Sequence, residues 1–533
     1  MDTLLSAKKA LILDKRLDDM RTLKGLLQRL GVAQVEVASS VNMALSILRE
    51  ETIDLCFMVY DLGKGEKNGL QLMHEAQAEG LYRFGTGFVL VADQEAASLL
   101  FGSLESSPDL CIEKPYQEGR LRMSLQRLIR LKQAIKPLDS LMDQGRWVEA
   151  YDLCEQKLRQ YPALKVFMQR LQGIILLRLG RYDAAQALFG DLLEERDQHW
   201  MRVGVGVAAY RRIELHQAEE ALGSVIRQQQ VCIDAFSWLA RLHRLKGELN
   251  QSMTLLRKSV LLQPTVAQLQ AEQGDVAARL QDWRMAVDAF RAAVRFGRYS
   301  AFQQPDYYFA LAQALRARME DLQGDAVLEA EQEAVQVLEQ VVEDFNHDPV
   351  AQFKSRLLLS DVLRHSRDKG RAEQAARAAL EMFDQLPLEY QAQWLDQLLD
   401  GLEHSESAAQ AHAIRHDLTP KTVSIDWARI NLKGMMAFRK GDVAGGREAF
   451  LQAYQVQPEN PSVALNLVQA ELELLRREQS DDPVVSIRRC DDVLFNLQYA
   501  ALTHRQQQRY SSLAERLADR LKTRLGTSRA ESE

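Results

Sequence analysis

The sequence predicts an α/β domain with a doubly wound, five-stranded parallel sheet, followed by an all-α array of helical repeats. About the first 125 residues alternate short apolar runs with amphipathic stretches, whereas the remainder shows helical patterns broken by short turns. The chain has 533 residues, 46% of them hydrophobic and 26% charged, which is a composition typical of folded domains rather than of disordered chains.

The N-terminal part contains five apolar runs that are typical of buried strands, each followed by a helical pattern. The predicted strands cover 10–13, 35–38, 53–59, 88–91 and 110–112. The predicted helices cover 18–30, 41–49, 69–79, 95–105 and 118–134. Strands that alternate with helices favour a parallel sheet, and such sheets place their functional sites at the carboxyl ends of the strands.

A turn motif of glycine, an aromatic residue and alanine recurs in the helical part at spacings of 33 to 35 residues. A small residue precedes most starts by seven positions, and an aromatic residue, leucine or cysteine follows each start by nine. The small residue suits a close helix crossing, the larger one fills the junction between helices, and the turn glycine suits a positive φ. The motif starts are Gly145, Gly180, Ile213, Gly247 and Gln281, the small residues Gly173, Gly206, Ala240 and Gly274, and the residues that fill the junctions Cys154, Phe189, Leu222, Leu256 and Phe290.

This pattern resembles the tetratricopeptide repeat (TPR), which implies an all-α TPR superhelix. We expect repeats in clear register over 131–300 and degenerate TPR-like helical hairpins over 301–430. Over 431–525 we expect a last repeat, marked by Gly441, Gly434 and Phe450, and then capping helices. The tail 526–533 is predicted to be disordered.

The N-terminal part resembles a response-regulator receiver domain, which has a flavodoxin-like fold, over 1–130. The residues that carry this resemblance are Asp14 after the first strand, the segment Tyr60-Asp61-Leu62-Gly63, and Lys114-Pro115 after the fifth strand. Within that superfamily the match is closest to receivers fused to TPR repeats. The family implies two acidic Mg²⁺ ligands after strand one, a phosphoacceptor Asp ending strand three, a Thr or Ser ending strand four, and a Lys after strand five.

The chain departs from the receiver pattern at several of these positions. Lys15 replaces the second acidic residue, and Val91 stands where a hydroxyl is expected, although Lys114 is retained. The phosphoacceptor position falls on Val59 in one register and on Asp61 in the other, and we favour Val59. We therefore expect a degenerate receiver that is not phosphorylated and holds no metal, with Mg²⁺ as a cofactor only if the receiver is active.

The predicted function is that of a non-enzymatic, cytoplasmic signalling adaptor, because no catalytic constellation is present. A protein partner is expected to bind in the TPR groove, and the repeat register places Trp, Tyr and Arg side chains there, which are frequent interface anchors. One alternative is a phosphorylation-controlled response regulator of a two-component phosphorelay, with Asp61 as acceptor. Another is a scaffold that forms homodimers through its receiver domain. The predicted groove residues are Arg170, Trp200, Tyr210, Arg241 and Arg244.

Charge and hydropathy exclude other classes of partner. The chain has 67 Lys and Arg against 74 Asp and Glu, a net charge of −7, whereas binding to nucleic acid requires a basic surface. No apolar stretch approaches the ~18 residues of a transmembrane helix, so no membrane insertion is expected. The five cysteines are scattered without a CxxC pair, which argues against a zinc site or a disulfide framework.

Overall fold

The N-terminal domain is built on a five-stranded parallel sheet with the strand order β2-β1-β3-β4-β5. It is seen in the computed structural model, which describes residues 5–63, 65–92, 104, 108–228, 232–365 and 368–530. The central strands are buried along their whole length, because helices cover both faces of the sheet. The strands are β1 (Lys9–Leu13), β2 (Gln34–Ala38), β3 (Leu55–Val59), β4 (Gly87–Ala92) and β5 (Leu110–Glu113).

Four described helices accompany the sheet. They are α1 (Leu17–Arg29), α2 (Val41–Glu50), α3 (Gly69–Ala78) and α4 (Glu118–Asp143). The helix predicted over 95–105 lies outside the described residues, apart from Leu104. Helix α4 is longer than predicted and runs through Pro137, because the apolar face formed by Ile135, Leu138 and Met142 continues to bury itself against the following helices.

The described residues pack into two units that are interleaved along the chain. The first comprises Met1–Leu242, Lys258–Val266 and Phe296–Gln303, and the second His243–Arg257, Ala267–Arg295 and Gln304–Glu533. The fold class predicted from the sequence is confirmed: the parallel α/β sheet is followed by α-helices joined by short turns, arranged as helical repeats. None of the described helices is long and apolar enough to cross a membrane.

The repeat helices are numbered in chain order after α4. The earlier ones are α5 (Trp147–Gln160), α6 (Lys165–Arg178), α7 (Tyr182–Glu195), α8 (His199–Arg211), α9 (Leu215–Arg227), α10 (Ile233–Leu245), α11 (Leu249–Leu262), α12 (Ala267–Arg279) and α13 (Trp283–Gly297). The later ones are α14 (Pro305–Arg318), α15 (Asp325–Asp344), α16 (Pro349–His365), α17 (Lys369–Gln385), α18 (Leu388–Leu402), α19 (Ala408–Lys421), α20 (Asp426–Arg439), α21 (Val443–Val456), α22 (Pro461–Arg476), α23 (Pro483–Asn496) and α24 (His504–Ala530).

The small residues of the repeat motif lie where the sequence places them, at close helix crossings. A Cβ built on Gly206 would stand 2.5 Å from Leu222 Cγ, and one on Gly274 would stand 2.8 Å from Phe290 Cε1. In the last repeat, a Cβ built on Gly434 would likewise stand 2.8 Å from Phe450 Cδ1. Because these distances are shorter than a Cβ contact allows, the packing requires glycine at these crossings.

The turns of the repeats adopt a positive φ whether or not glycine is present. Gly145 and Gly180 have φ values of 69° and 71°, as the motif predicts. Ile213 and Gln281, which replace glycine in two copies, adopt 62° and 60°. The turn geometry is therefore imposed by the packing of the helix pair, and these two residues are strained by it.

The C-terminal helix extends further than the sequence suggests. The composition predicts disorder over 526–533, whereas α24 continues to Ala530. A helix that is already formed gains one hydrogen bond for each residue added, so it propagates into a polar segment that would not form a helix alone.

Candidate functional site

The carboxyl edge of the sheet brings together the residues expected to form the receiver pocket. Leu13 of β1 pairs with Met58 of β3, so Asp14 and Val59, which follow them, lie next to each other. Val59 in turn pairs with Val91 of β4. The position beside Asp14 at the end of β3 is thus occupied by a buried valine, which carries no oxygen ligand or nucleophile.

Asp14 is buried and engaged with the lysine that follows β5. Only 3% of its side chain is exposed, and its Oδ2 lies 3.1 Å from Lys114 Nζ. Its other oxygen accepts a hydrogen bond from the backbone N–H of Arg16 at 2.9 Å. Lys114 Nζ also lies 2.6 Å from Asp19 Oδ2. The lysine thus bridges two carboxylates, and the second could not be anticipated, because Asp19 belongs to α1 and to no motif.

The two remaining residues of the expected pocket lie apart from this bridge. Lys15 points to solvent and pairs with Glu66 at 2.9 Å, with about half of each side chain exposed. Asp61 lies two residues beyond β3, where its Oδ1 accepts the backbone N–H of Gly63 at 2.8 Å. Asp61 is exposed, so it is accessible, but it is not in register with Asp14.

Arg170 on α6, one of the predicted groove residues, contacts the N-terminal domain. Its guanidinium lies 5.2 Å from the centre of the Trp200 ring on α8, within the range of a cation–π interaction. Its Nη2 donates to the backbone oxygen of Leu104 at 3.1 Å. Burial lowers the pKa of Arg170 to about 10, against the opposing effect of Asp234 and Asp109, so the side chain stays charged at neutral pH.

Tyr210 and Arg241, two further predicted groove residues, belong to an aromatic cluster between α8 and α10. Tyr210 is only 1% exposed and packs edge-on against Trp238 at 5.4 Å. Arg241 lies over both rings, 5.6 Å from each centre, and its Nε donates to the Tyr210 hydroxyl at 3.2 Å. Tyr210 therefore contributes to helix packing, and the guanidinium of Arg241 lies over it.

Arg244, the last predicted groove residue, contacts the C-terminal part of the second unit. Its guanidinium lies 4.0 Å from the centre of the Phe495 ring on α23. On α12, Asp275 accepts the backbone N–H of Ala500 at 3.0 Å, and Arg279 lies 5.3 Å from the centre of the Tyr510 ring. The C-terminal segment thus packs on α12 in addition to its neighbour α22, a contact that repeat periodicity does not predict.

Helix α3 of the N-terminal domain forms a second contact with the repeats, which sequence reasoning missed. Gln71 Oε1 accepts a hydrogen bond from the Thr265 hydroxyl at 2.6 Å, and both side chains are 4% exposed. Burial lowers the pKa of His74, and the charge of the nearby Asp234 opposes this effect only in part. The sequence carries no signal for the Gln71–Thr265 contact, because its partners are 194 positions apart and belong to no shared motif.

No known protein-family model matches the chain, and no curated protein matches its sequence. Among solved structures, NtrX from Brucella abortus is similar over 25% of this chain at 20% identity, with a TM-score of 0.22. The matched part spans only 29% of the NtrX chain.

Two TPR proteins are similar over larger parts of their own chains. The C-terminal part of a TPR repeat-containing protein from Cytophaga hutchinsonii matches 46% of this chain and 95% of its own, at 13% identity and a TM-score of 0.37. A thermophilic TPR protein from Thermus thermophilus matches 35% of this chain and 95% of its own, at 22% identity and a TM-score of 0.22. These similarities concern the fold, which the strand order and the repeat packing define independently.

Proposed function

We propose that this chain is a non-enzymatic adaptor whose helical repeats bind a protein partner, and whose N-terminal domain is a receiver-like module that does not accept a phosphoryl group. The proposal that the domain accepts no phosphoryl group rests on the residue that lies beside Asp14. Where a receiver needs a carboxylate, the end of β3 offers Val59, 8% exposed and apolar.

The charges around Asp14 also disfavour phosphoryl transfer. Transfer to a carboxylate needs a divalent cation that bridges the acceptor and the phosphoryl oxygens. Lys114 already pairs with both Asp14 and Asp19, and Lys15 replaces the second acidic ligand beside them. A cation at this edge would compete with an ammonium group for the same oxygens, and Val91 offers no hydroxyl to bind a phosphoryl group.

The repeats supply the surface for a partner. Arg170 and Arg241 are half-buried on α6 and α10, and Arg is enriched among residues that contribute most to protein–protein binding. Trp200 is only 5% exposed and packs edge-on against Phe189, so it supports Arg170 from below and offers no surface itself. The cation–π contacts of both arginines hold the guanidinium groups in place, so a partner carboxylate would meet a positive charge of fixed position.

Phosphoryl acceptance is tested by incubating the full chain with acetyl phosphate and Mg²⁺ and measuring its intact mass, with Asp61→Asn as the matched variant. We expect no mass gain of a phosphate in either protein. An acid-labile phosphate on the wild-type chain that is missing from Asp61→Asn would instead support the response-regulator alternative.

Partner binding is tested by chemical cross-linking of the full chain to proteins of its source cell, compared with Arg241→Glu. We expect discrete cross-linked products that the charge reversal removes. Identical products for both chains would place binding elsewhere. A product at twice the chain mass that survives the substitution, together with a dimer in light scattering, would favour the homodimeric scaffold.

A further inference from the structure

A cavity of about 330 Å³ opens to solvent between the helices α5, α6 and α7 of the first repeats. Each helix contributes a leucine to its walls: Leu158 on α5, Leu176 on α6 and Leu188 on α7. Ligand-binding pockets of this size are mostly apolar, and a few polar groups in them fix the orientation of the ligand. The cavity is therefore large enough to receive a side chain of a partner, and its polar groups decide which one.

The most deeply buried polar side chain that lines the cavity is Gln172 on α6. It is 5% exposed, and its amide has no hydrogen-bond partner among the described residues. The equivalent positions in the following repeats lie one residue before the small residue of the motif, and two of the three carry Val205 and Leu239. Helix packing thus accepts an apolar residue at this position and does not require the amide.

Two side chains of opposite charge stand at the mouth of the cavity, one helical turn apart on α5. Glu155 and Arg159 line the cavity and are exposed, and neither forms an ion pair with any residue that the structure describes. Four residues of α-helix separate their Cα atoms by about 6 Å along the axis. A ligand in the cavity therefore meets one negative and one positive charge at this spacing.

The amide of Gln172 determines which side chain the cavity favours. It offers both donors and an acceptor in one plane, so another primary amide can pair with it through two hydrogen bonds. An apolar side chain would leave the amide unpaired and cut off from water, and a charged one would lose its hydration among the leucines. The best match is a glutamine side chain, whose aliphatic stem packs on the leucines.

The charges at the mouth determine what stands beside this glutamine. In an extended peptide the two neighbours of a residue are about 7 Å apart, and their side chains point away from the face that this residue occupies. That separation is close to the one between Glu155 and Arg159, so a basic and an acidic neighbour would each meet the opposite charge. Exposed ion pairs contribute little free energy, so they set the register of the peptide more than its affinity.

We propose that this cavity is a docking site for an extended segment of a protein partner, which inserts a glutamine flanked by a basic and an acidic residue. This inference goes beyond the proposed function, because it assigns a second surface of the repeats. Gln172 follows Arg170 by two positions on α6, which is about 200° around the helix, so the two side chains leave it on opposite faces.

The site is tested by fluorescence anisotropy of the full chain with two labelled peptides, in which Lys-Gln-Glu or the reverse order stands between alanines. We expect one order to bind the wild type. Replacing its glutamine with leucine should weaken binding by about tenfold or more, because the amide of Gln172 then stays unpaired. Gln172→Leu should reverse this preference, and it should fold, since Leu239 occupies the equivalent position in another repeat.

Two further variants separate the cavity from its surroundings. Gln156→Leu is the matched control, because this glutamine is exposed on α5 and does not line the cavity, and it should keep the preference of the wild type. Glu155→Lys should bind better when glutamic acid replaces the lysine of the peptide, since the charge that it faces has changed sign.

Each failure has its own result. Binding of neither peptide by the wild type would overturn the docking site, and an unchanged preference for glutamine in Gln172→Leu would overturn the role of the cavity. If N-acetylglutamine amide bound as tightly as the peptides, the cavity would be a site for a small molecule and the proposal would be wrong. The cross-linking that depends on Arg241 would in each case decide the proposed function separately.

Discussion

The ring of Phe189 lies so close to the Cα of Gly173 that a Cβ at position 173 would stand 2.2 Å from the ring carbon Cζ. The same ring would stand 2.6 Å from a Cβ at Gly204 on the next helix pair. One phenylalanine thus joins two repeats through two glycines, and the spacing of α6, α7 and α8 depends on the absence of both side chains.

Gly173→Ala should lower the free energy of unfolding by about 1–3 kcal/mol, because the new methyl group overlaps a ring that has no space to move. The matched control is Gly190→Ala on α7, where a Cβ would meet no atom of the described residues within 4 Å. That change should raise stability by roughly 0.5–1 kcal/mol, since alanine favours helix. Urea denaturation of both variants checks the pair, and equal midpoints would contradict this packing of the ring against glycine.

Gln281→Gly should stabilise the chain by up to about 1 kcal/mol. Glutamine is strained at a φ near 60°, and the energy of this strain exceeds the extra entropy that glycine loses when the chain folds. The opposite change, Gly180→Ala, should destabilise it by about 1 kcal/mol. Thermal melting of the two variants should give shifts of opposite sign. A loss of stability in Gln281→Gly would show that the glutamine side chain makes contacts worth more than the strain.

These packing contacts could be predicted from the sequence because they recur in each repeat. Gly206 and Leu222, or Gly274 and Phe290, occupy the same offsets in each copy, so one rule predicts many contacts. At Ile213 the sequence predicts less. The repeat spacing predicts a turn there, but a β-branched residue gives no local indication of a positive φ.

Lys114→Met should cost on the order of 2 kcal/mol of stability, because it leaves the buried carboxylate of Asp14 without its cation. The matched control is Lys15→Met, whose ion pair with Glu66 is half exposed and should contribute less than about 1 kcal/mol. Denaturant titrations at neutral pH measure both. If the two substitutions cost the same, Lys114 does not have the structural role that its two carboxylate contacts indicate.

The stability of the chain should carry a pH dependence that comes from Asp139. Burial raises the pKa of this carboxyl on α4 to about 8, against the opposing charge of Lys132 and with smaller contributions from Asp109 and Asp143. Its Oδ2 is buried and has no hydrogen-bond partner among the described residues. The folded chain therefore keeps a proton that the unfolded chain releases near pH 4. This stabilisation is complete below that pH and is lost as the pH rises towards 8, by at most about 1.4 kcal/mol per pH unit.

Asp139→Asn removes this titration. The variant should gain stability relative to the wild type as the pH rises from 5 to 8, and the difference should level off above 8. Urea midpoints measured at several pH values provide the comparison. Parallel profiles for the two proteins would mean that the carboxyl ionises normally in the folded chain.

Less of the candidate site than of the repeats could be predicted from the sequence. Asp14 and Lys114 could be predicted to meet, because both follow strands of one parallel sheet. The hydrogen bonds of Leu104 with Arg170 and Asp234 could not be predicted, because these partners lie 66 and 130 positions away and have no periodic relation to it. Contacts of this kind depend on how a domain and an array dock, which neither local propensity nor repeat spacing encodes.

The hydrogen bond between Asp275 and the N–H of Ala500 joins positions 225 residues apart. Helical repeats ordinarily fold through neighbours, which keeps the sequence separation of their contacts small and their folding fast. In this chain a ribosome must synthesise the C-terminal segment before α12 can complete its packing. Until then Asp275 lacks the N–H of Ala500 and the packing of the segment that carries it, so a nascent or prematurely terminated chain exposes a surface that chaperones and proteases can recognise.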